Sequence, residues 1–318
     1  MSRQVRILTR VLSSFLMTTS ASDSPSLTPN STNKTEPDRV PQFNLPDEPL
    51  VVIEPKKSWS AVGVHDFWVY RELLYFLTLR DIKVRYKQTL LGVLWVLLQP
   101  LLTTVVFTIF LGLLIRVPSE GTPYVLFVYV GLLPWTFFSA AVISSSNSLV
   151  NNAHLITKVY FPRSLIPVSA VIGRLLDLAI AFLVLVCLMA YYHVAVTWAI
   201  LLLPVLVALM TLLAVGLGMV TSAMNVKYRD VGVLIPVLLQ LLMYASPVVY
   251  PASLVPARWQ RLYGLNPLVG LLGSFRSAAL GAQIDWSALA WSGATTAVLL
   301  VGAAFLFRRM EAHFADFV

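Results

Sequence analysis

Charge is scarce in this 318-residue chain: Asp, Glu, Lys and Arg supply 12% of it, and hydrophobic residues 58%. Soluble globular domains carry about 25% charged residues, so that class is excluded. Cysteine is nearly absent. The single thiol, Cys187, sits in an apolar run without metal-ligating neighbours, which rules out a disulfide framework within the chain and reads as a small buried hydrophobe. No Gly-Lys pair occurs, so there is no G-x-x-x-x-G-K-[S/T] phosphate loop and no ATP hydrolysis by that route. H-E-x-x-H, C-x-x-C and G-x-S-x-G are missing as well, leaving the motif-marked enzyme chemistries without a foothold. The net charge of +8 would suit nucleic acid if it formed one stripe. Its basic residues instead cluster at the ends of apolar runs, as the positive-inside rule requires of a membrane protein; no nucleic-acid partner is expected.

What is present in abundance is long uncharged sequence. Gln88 to Ile115, Gly121 to Thr157, Leu178 to Val226, Val231 to Ala257 and Trp286 to Phe307 each exceed the ~20 residues a bilayer-spanning helix needs. The third is too long for one helix, and YYHVAVTW in its middle reads as a turn, with His193 an interfacial residue. The expected spans are therefore six: Gly92 to Ile115 with a kink at Pro100, Tyr124 to Asn147, Ser164 to Ala190, Trp198 to Ala223, Val233 to Tyr250 and Ala288 to Phe307. Arg174 and Asp177 in the third are three residues apart on one helical face and read as a local ion pair.

Residues 1–60 open with a basic, weakly signal-like start in which Met17 is a second candidate for the first residue. The rest, rich in Ser, Thr, Pro and Asn, reads as a disordered cytosolic extension. Residues 61–88 mix aromatics with charges. Leu73 to Leu79 is too short to span, and an interfacial helix with Trp68, Tyr70 and Tyr75 at headgroup level is the reading that fits. DIKVRYK within it alternates like a strand, but a lone strand has no sheet to join in a membrane. The six-span domain takes 89–310, and 311–318 forms a polar tail. Within that domain Pro251 to Asp285 is too apolar for an exposed loop and too broken for a span, so two re-entrant helices are expected there.

Lys and Arg orient the chain. Arg80, Lys83, Arg85, Lys87, Lys158, Arg163, Lys227, Arg229, Arg308 and Arg309 fall on one side, and Arg116, Arg258, Arg261 and Arg276 on the other. Both termini are expected in the cytosol. The fold class is all-α and polytopic.

The ordered series RDIKVRYKQTLLGVLWVLLQP, LLPWTFF, SLVNNAHLITKVYFPRSLIP, NVKYRDV, SPVVYP, GLNPL and FRRMEAHFADFV resembles the membrane subunit of ABC exporters for surface polysaccharide, over about residues 65–318. The resemblance implies a homodimer in the bacterial inner membrane, paired with two copies of a separate ATPase subunit. That partner uses ATP and Mg, and this chain needs no cofactor. The cargo would be a lipid-linked glycan such as O-antigen.

By the same resemblance Leu149 to Arg163 is a coupling segment docking into the ATPase. Asn151 and Asn152 are expected to cap a short helix, with Leu155, Ile156, Val159 and Phe161 an exposed apolar anchor, Lys158 and Arg163 basic contacts and Pro162 a stop. A loop folded back on its own spans is the alternative. Tyr228, Arg229 and Asp230 form a second contact or serve topology alone. Sugars stack on aromatic faces, which nominates Trp95, Phe107, Phe110, Tyr244 and Tyr250 along spans one and five, Phe107 and Phe110 sharing a face; lipid-facing aromatics are the plainer reading. Arg80, Lys83, Arg85 and Lys87 would meet a phosphate-bearing lipid headgroup or act only as topology charges. Two other functions stay open: an exporter of a drug or small hydrophobic molecule on the same fold, and a membrane glycosyltransferase, for which Asp177, Asp285 and His193 are too scattered to form a site.

Overall fold

The computed structural model describes residues 68–87, 92–158, 161–195 and 197–311. The 1–60 extension, the start of the interfacial segment, Val159 and the tail from 312 on lie outside these residues, as does the Ile156 side chain. Among the described residues all regular structure is helical.

Helix α1, Arg71–Lys87, includes the alternating DIKVRYK stretch. Leu77 and Thr78 are buried on it, whereas Trp68, Tyr75 and Phe76 stay exposed and Tyr70 packs on the Leu77 cluster. Helix α2, Val93–Phe107, passes through Pro100 and continues as a π-helix, Thr108–Leu114. Helix α3, Tyr124–Asn151, is the centre of the described helices, with Leu126 to Pro134 buried without interruption. A short α4, Ala153–Lys158, leads to the third span, which is divided: α5, Leu165–Ile172, and α6, Leu175–Tyr191, meet at Gly173 and Arg174. A 3-10 turn, Trp198–Leu202, starts α7, Leu203–Lys227; α8 is Val231–Tyr244. Helices α9, Ala257–Tyr263, and α10, Pro267–Leu280, precede α11, Trp286–Glu311.

Five segments are long and apolar enough to cross a membrane: 93–114, 124–151, 165–191, 198–227 and 286–311. The expected fifth span is shorter than the sequence suggested, because α8 stops at Tyr244 and Pro247 follows. At 1.5 Å per residue its 14 residues reach about 21 Å, short of the ~30 Å hydrocarbon core. Around α3 pack α7, α5, α6, α2, α8 and α10; α11 lies on α7 and α10, and α1 on α5.

Helix α10 is bounded by local chemistry. Asn266 caps it by accepting from the Leu268 N–H at 3.0 Å, Pro267 opens it, and Gly281 ends it at φ 72°, a left-handed conformation that suits glycine. Its buried face includes Arg276 at 6% exposure, so Arg276 is not the loop charge the topology count assumed. Cys187, expected to be buried, is exposed on α6; in lipid an apolar outward face costs nothing, and burial no longer follows from hydrophobicity.

Candidate functional site

The segment 149–163, expected to couple, is built from the end of α3. Asn152 does not cap α4 as expected. Its amide donates to the Ser148 carbonyl at 2.8 Å, and its Oδ1 accepts from Arg80 of α1 at 2.7 Å, closing α3 and tying it to α1. Asn151 and Lys158 are exposed, and Leu155 is half-buried. Phe161, expected as an exposed anchor, is turned inward at 9% exposure, clustered with Leu77, Leu149, Leu165 and Phe307. The chain turns straight into α5 after Pro162, and an aromatic ring at that corner loses least by packing under α1 and α11. Arg163 closes the segment: its backbone N–H donates to Glu311 Oε1 at 3.2 Å and its guanidinium to the Glu311 carbonyl at 3.0 Å. Tyr228, Arg229 and Asp230 are exposed beyond α7, with Lys227 Nζ 5.1 Å from the Tyr228 ring centroid.

Farther along α1, a cleft of about 220 Å³ opens between α1, α2, α3 and α6, lined among others by Arg85, Tyr86, Trp95, Gln99, Arg174 and Asp177. The Arg174 and Asp177 pair expected from the sequence is present at 3.1 Å, yet it is not merely local. Arg85 reaches the same carboxylate oxygen at 2.8 Å, and the Tyr86 hydroxyl donates to the other. Arg174 also donates to Ser144 Oγ of α3, at 2.6 and 2.8 Å. Two guanidinium groups thus share one carboxylate at the seam of the divided third span. Burial, then the bond to Asp177, pushes the Tyr86 phenol above its ordinary range, so it serves as a neutral donor. Of the four expected headgroup residues, Arg85 belongs to this cleft and Arg80 is engaged by Asp81 at 2.8 Å and by Asn152. Lys83 and Lys87 are exposed.

The aromatics divide. Trp95 lines the cleft and is 52% exposed. Phe107 and Phe110 do not share a face: the π-helix breaks the 3.6-residue period between them, and Phe107 packs on the core while Phe110 stays 56% exposed. Tyr244 ends α8, and the Tyr250 hydroxyl donates to its carbonyl at 2.9 Å; Tyr263 of α9 donates to Tyr250 at 3.3 Å. Between them the broken backbone is held by Arg276, which donates to the carbonyls of Pro247 and Val248 at 2.9 and 2.8 Å. Irregular backbone at membrane depth needs such an internal partner. Gly131 of α3 permits it, because a Cβ there would stand 2.1 Å from the Val248 oxygen.

Sequence reasoning missed Tyr86, Ser144 and Gln99 in the cleft. The i, i+3 spacing announced Arg174 and Asp177, but Arg85 lies 92 positions from Asp177, beyond any local pattern.

Compared with known proteins, residues 72–280 match the family described as ABC-2 type transporter. The O-antigen export system permease protein of Myxococcus xanthus is 31% identical over 256 residues, 80% of this chain and 98% of the relative. A permease of the same description from Klebsiella pneumoniae is 27% identical over 249 residues, 77% of this chain and 94% of its own. The polysialic acid transport protein of Escherichia coli is 24% identical over 233 residues, covering 69% and 85%.

Proposed function

The chain belongs to the ABC-2 type transporter family, and from that premise we propose that it is the permease subunit of an ATP-driven exporter of lipid-linked, O-antigen-type polysaccharide. It is a multi-pass membrane protein. The observation that carries the reading is similarity over nearly the whole length of two O-antigen export permeases, 98% and 94% of their chains.

The remaining assignments follow from that reading. The protein works as a homodimer with two copies of a separate ATPase, which supplies the ATP and Mg chemistry, in a bacterial inner membrane with both termini cytosolic. Docking uses the α3–α4 corner through Asn151, Ile156, Lys158 and Val159, with Tyr228 to Asp230 alongside; Asn152, Leu155, Phe161, Pro162 and Arg163 keep the corner in shape. Helices α2 and α8 carry broad exposed apolar faces, which suits a path enclosed between two copies, with Trp95, Phe110 and Tyr244 offering stacking surfaces. The exposed Lys83 and Lys87 beside the Arg85 and Arg174 cleft suit an anionic lipid headgroup at the membrane surface. Pro251 to Asp285 closes the far side.

The test is deletion and complementation. Loss of this chain should remove surface glycan and leave lipid-linked glycan inside the cell, and the purified complex should hydrolyse ATP faster when that lipid is added. Unchanged surface glycan overturns the reading. So does ATPase stimulation by small hydrophobic drugs with none by the glycan lipid.

A further inference from the structure

Helix α8 has no side-chain cap from its own flank: Asp230 precedes it without a capping bond. Its second residue, Gly232, shares its N–H between the Arg229 carbonyl at 3.2 Å and Oδ1 of Asn225, a residue of α7, at 3.0 Å. The amide nitrogen of the same Asn225 donates to the Ser146 carbonyl at 3.0 Å and to Asn147 Oδ1 at 3.1 Å, both on α3. Asn147 in turn donates to the Ile143 carbonyl at 3.1 Å. Asn225 is 3% exposed, so one buried side chain commits both its donor nitrogen and its acceptor oxygen, joining three helices. Gly232 is part of the fit. A Cβ there would lie 2.9 Å from Asn147 Oδ1 and 3.2 Å from Asn225 Oδ1, close enough to wedge the two amides apart.

The position of this knot matters more than its strength. Asn147 is four residues, about one turn, before the end of α3 at Asn151, where the α4 segment begins. Gly232 is in the first turn of α8. Apolar contacts between helices slide, whereas a buried amide that loses its partner pays a desolvation penalty in a low-dielectric setting. A shift at the end of α3 therefore moves α8 with it more readily than it breaks these bonds.

We propose that Asn225 is a positioning residue that carries displacement of the α3–α4 corner to the start of α8. The inference rests on the reading of that corner as the ATPase docking site and of α8 as a wall of the export path.

The test uses the full complex with its ATPase in proteoliposomes, supplied with lipid-linked glycan. Asn225→Ala cuts the bridge at its centre, Asn147→Ala cuts only the α3 side, and Gly232→Ala wedges it. In each, glycan moved per ATP hydrolysed should fall about tenfold, with ATP hydrolysis and co-purified ATPase per folded complex retained even where the thermal midpoint drops. An unchanged transport ratio in both asparagine variants overturns the proposal, as does a loss that tracks the fall in folded complex. A wild-type complex that moves no glycan overturns the functional reading instead. The bridge is then read from spin labels at Val150→Cys and Leu241→Cys, both exposed, in a Cys187→Ala background. On ATP addition the two sites should shift together in the parent and only the α3 site in Asn225→Ala; the same response in both sinks the bridge.

Discussion

The Arg276 guanidinium lies 3.9 Å from the centroid of the Phe127 ring, joining α10 to α3 beside the break that ends α8. The ring accepts the cation on its face while the two backbone carbonyls take its N–H groups. Replacing Arg276 by Leu should destabilise the protein by about 3 kcal/mol, since each buried acceptor left without a partner costs roughly 1–3 kcal/mol. Arg276→Lys should lose less, keeping the charge and one donor. Thermal unfolding in detergent measures both, and a Leu variant as stable as the parent would refute the clamp.

Gly131→Ala attacks the same clamp from α3. The added Cβ would meet the Val248 oxygen at 2.1 Å and an Arg276 nitrogen at 2.6 Å, and a backbone oxygen cannot swing aside. A loss near the upper end of the ~1–3 kcal/mol typical of overpacking is expected. The double variant with Arg276→Leu should lose less than the sum of the two single losses, because both break one contact.

In the charged cleft, Asp177→Asn removes the carboxylate that Arg85 and Arg174 share. Breaking a buried ion pair costs about 3–5 kcal/mol. These guanidinium groups are about a quarter exposed, at 24% and 25%, which brings the expected loss to roughly 2 kcal/mol. Tyr86→Phe removes one donor and should cost about 1 kcal/mol. Stability of the purified protein reads both, and equal losses in the two variants would contradict the arrangement.

At the α3–α4 corner the proposed docking can be separated from structure. Phe161→Ala should destabilise by about 3–5 kcal/mol, as for other buried aromatics. Exposed Lys158→Glu should stay within about 0.5 kcal/mol of the parent and yet release the partner ATPase on copurification. An ATPase that stays bound to the Glu variant moves the docking surface elsewhere.

Asp285 caps α11. One oxygen accepts from Ser287 Oγ at 2.6 Å and from the N–H groups of Ser287 and Ala288 at 3.0 Å, and the Ser287 hydroxyl, then the Ala288 N–H, hold the carboxyl below its ordinary pKa. A depressed folded pKa means stability that is present above the unfolded value of about 4 and lost as pH falls through the folded one. Asp285→Ala should therefore cost about 1 kcal/mol at neutral pH. The gap between variant and parent should close in acid, and a gap that persists there would mean the carboxylate charge is irrelevant.

Apolar run length made the long spans legible, and Tyr124, Trp198 and Trp286 begin helices within two residues of where the sequence put them. Its alternation misread DIKVRYK locally, while the membrane setting argued rightly for a helix. Facing went astray where lipid replaces water as the outer solvent: Cys187 is apolar and exposed, Phe161 apolar and buried, and composition does not tell them apart. The polar contacts that organise the site are long-range. Arg85 with Asp177, Asn225 with Asn147 and Arg276 with Val248 are 92, 78 and 28 residues apart, and no local period encodes them.

The shortness of α8 bears on the bilayer itself. A helix of 14 residues matches hydrocarbon only about 21 Å deep, and lipid beside a short apolar segment thins to meet it. The carbonyls of Pro247 and Val248 that follow α8 are taken up by Arg276 inside the protein, so the deficit in length is met by thinning on the lipid side and not by exposed backbone.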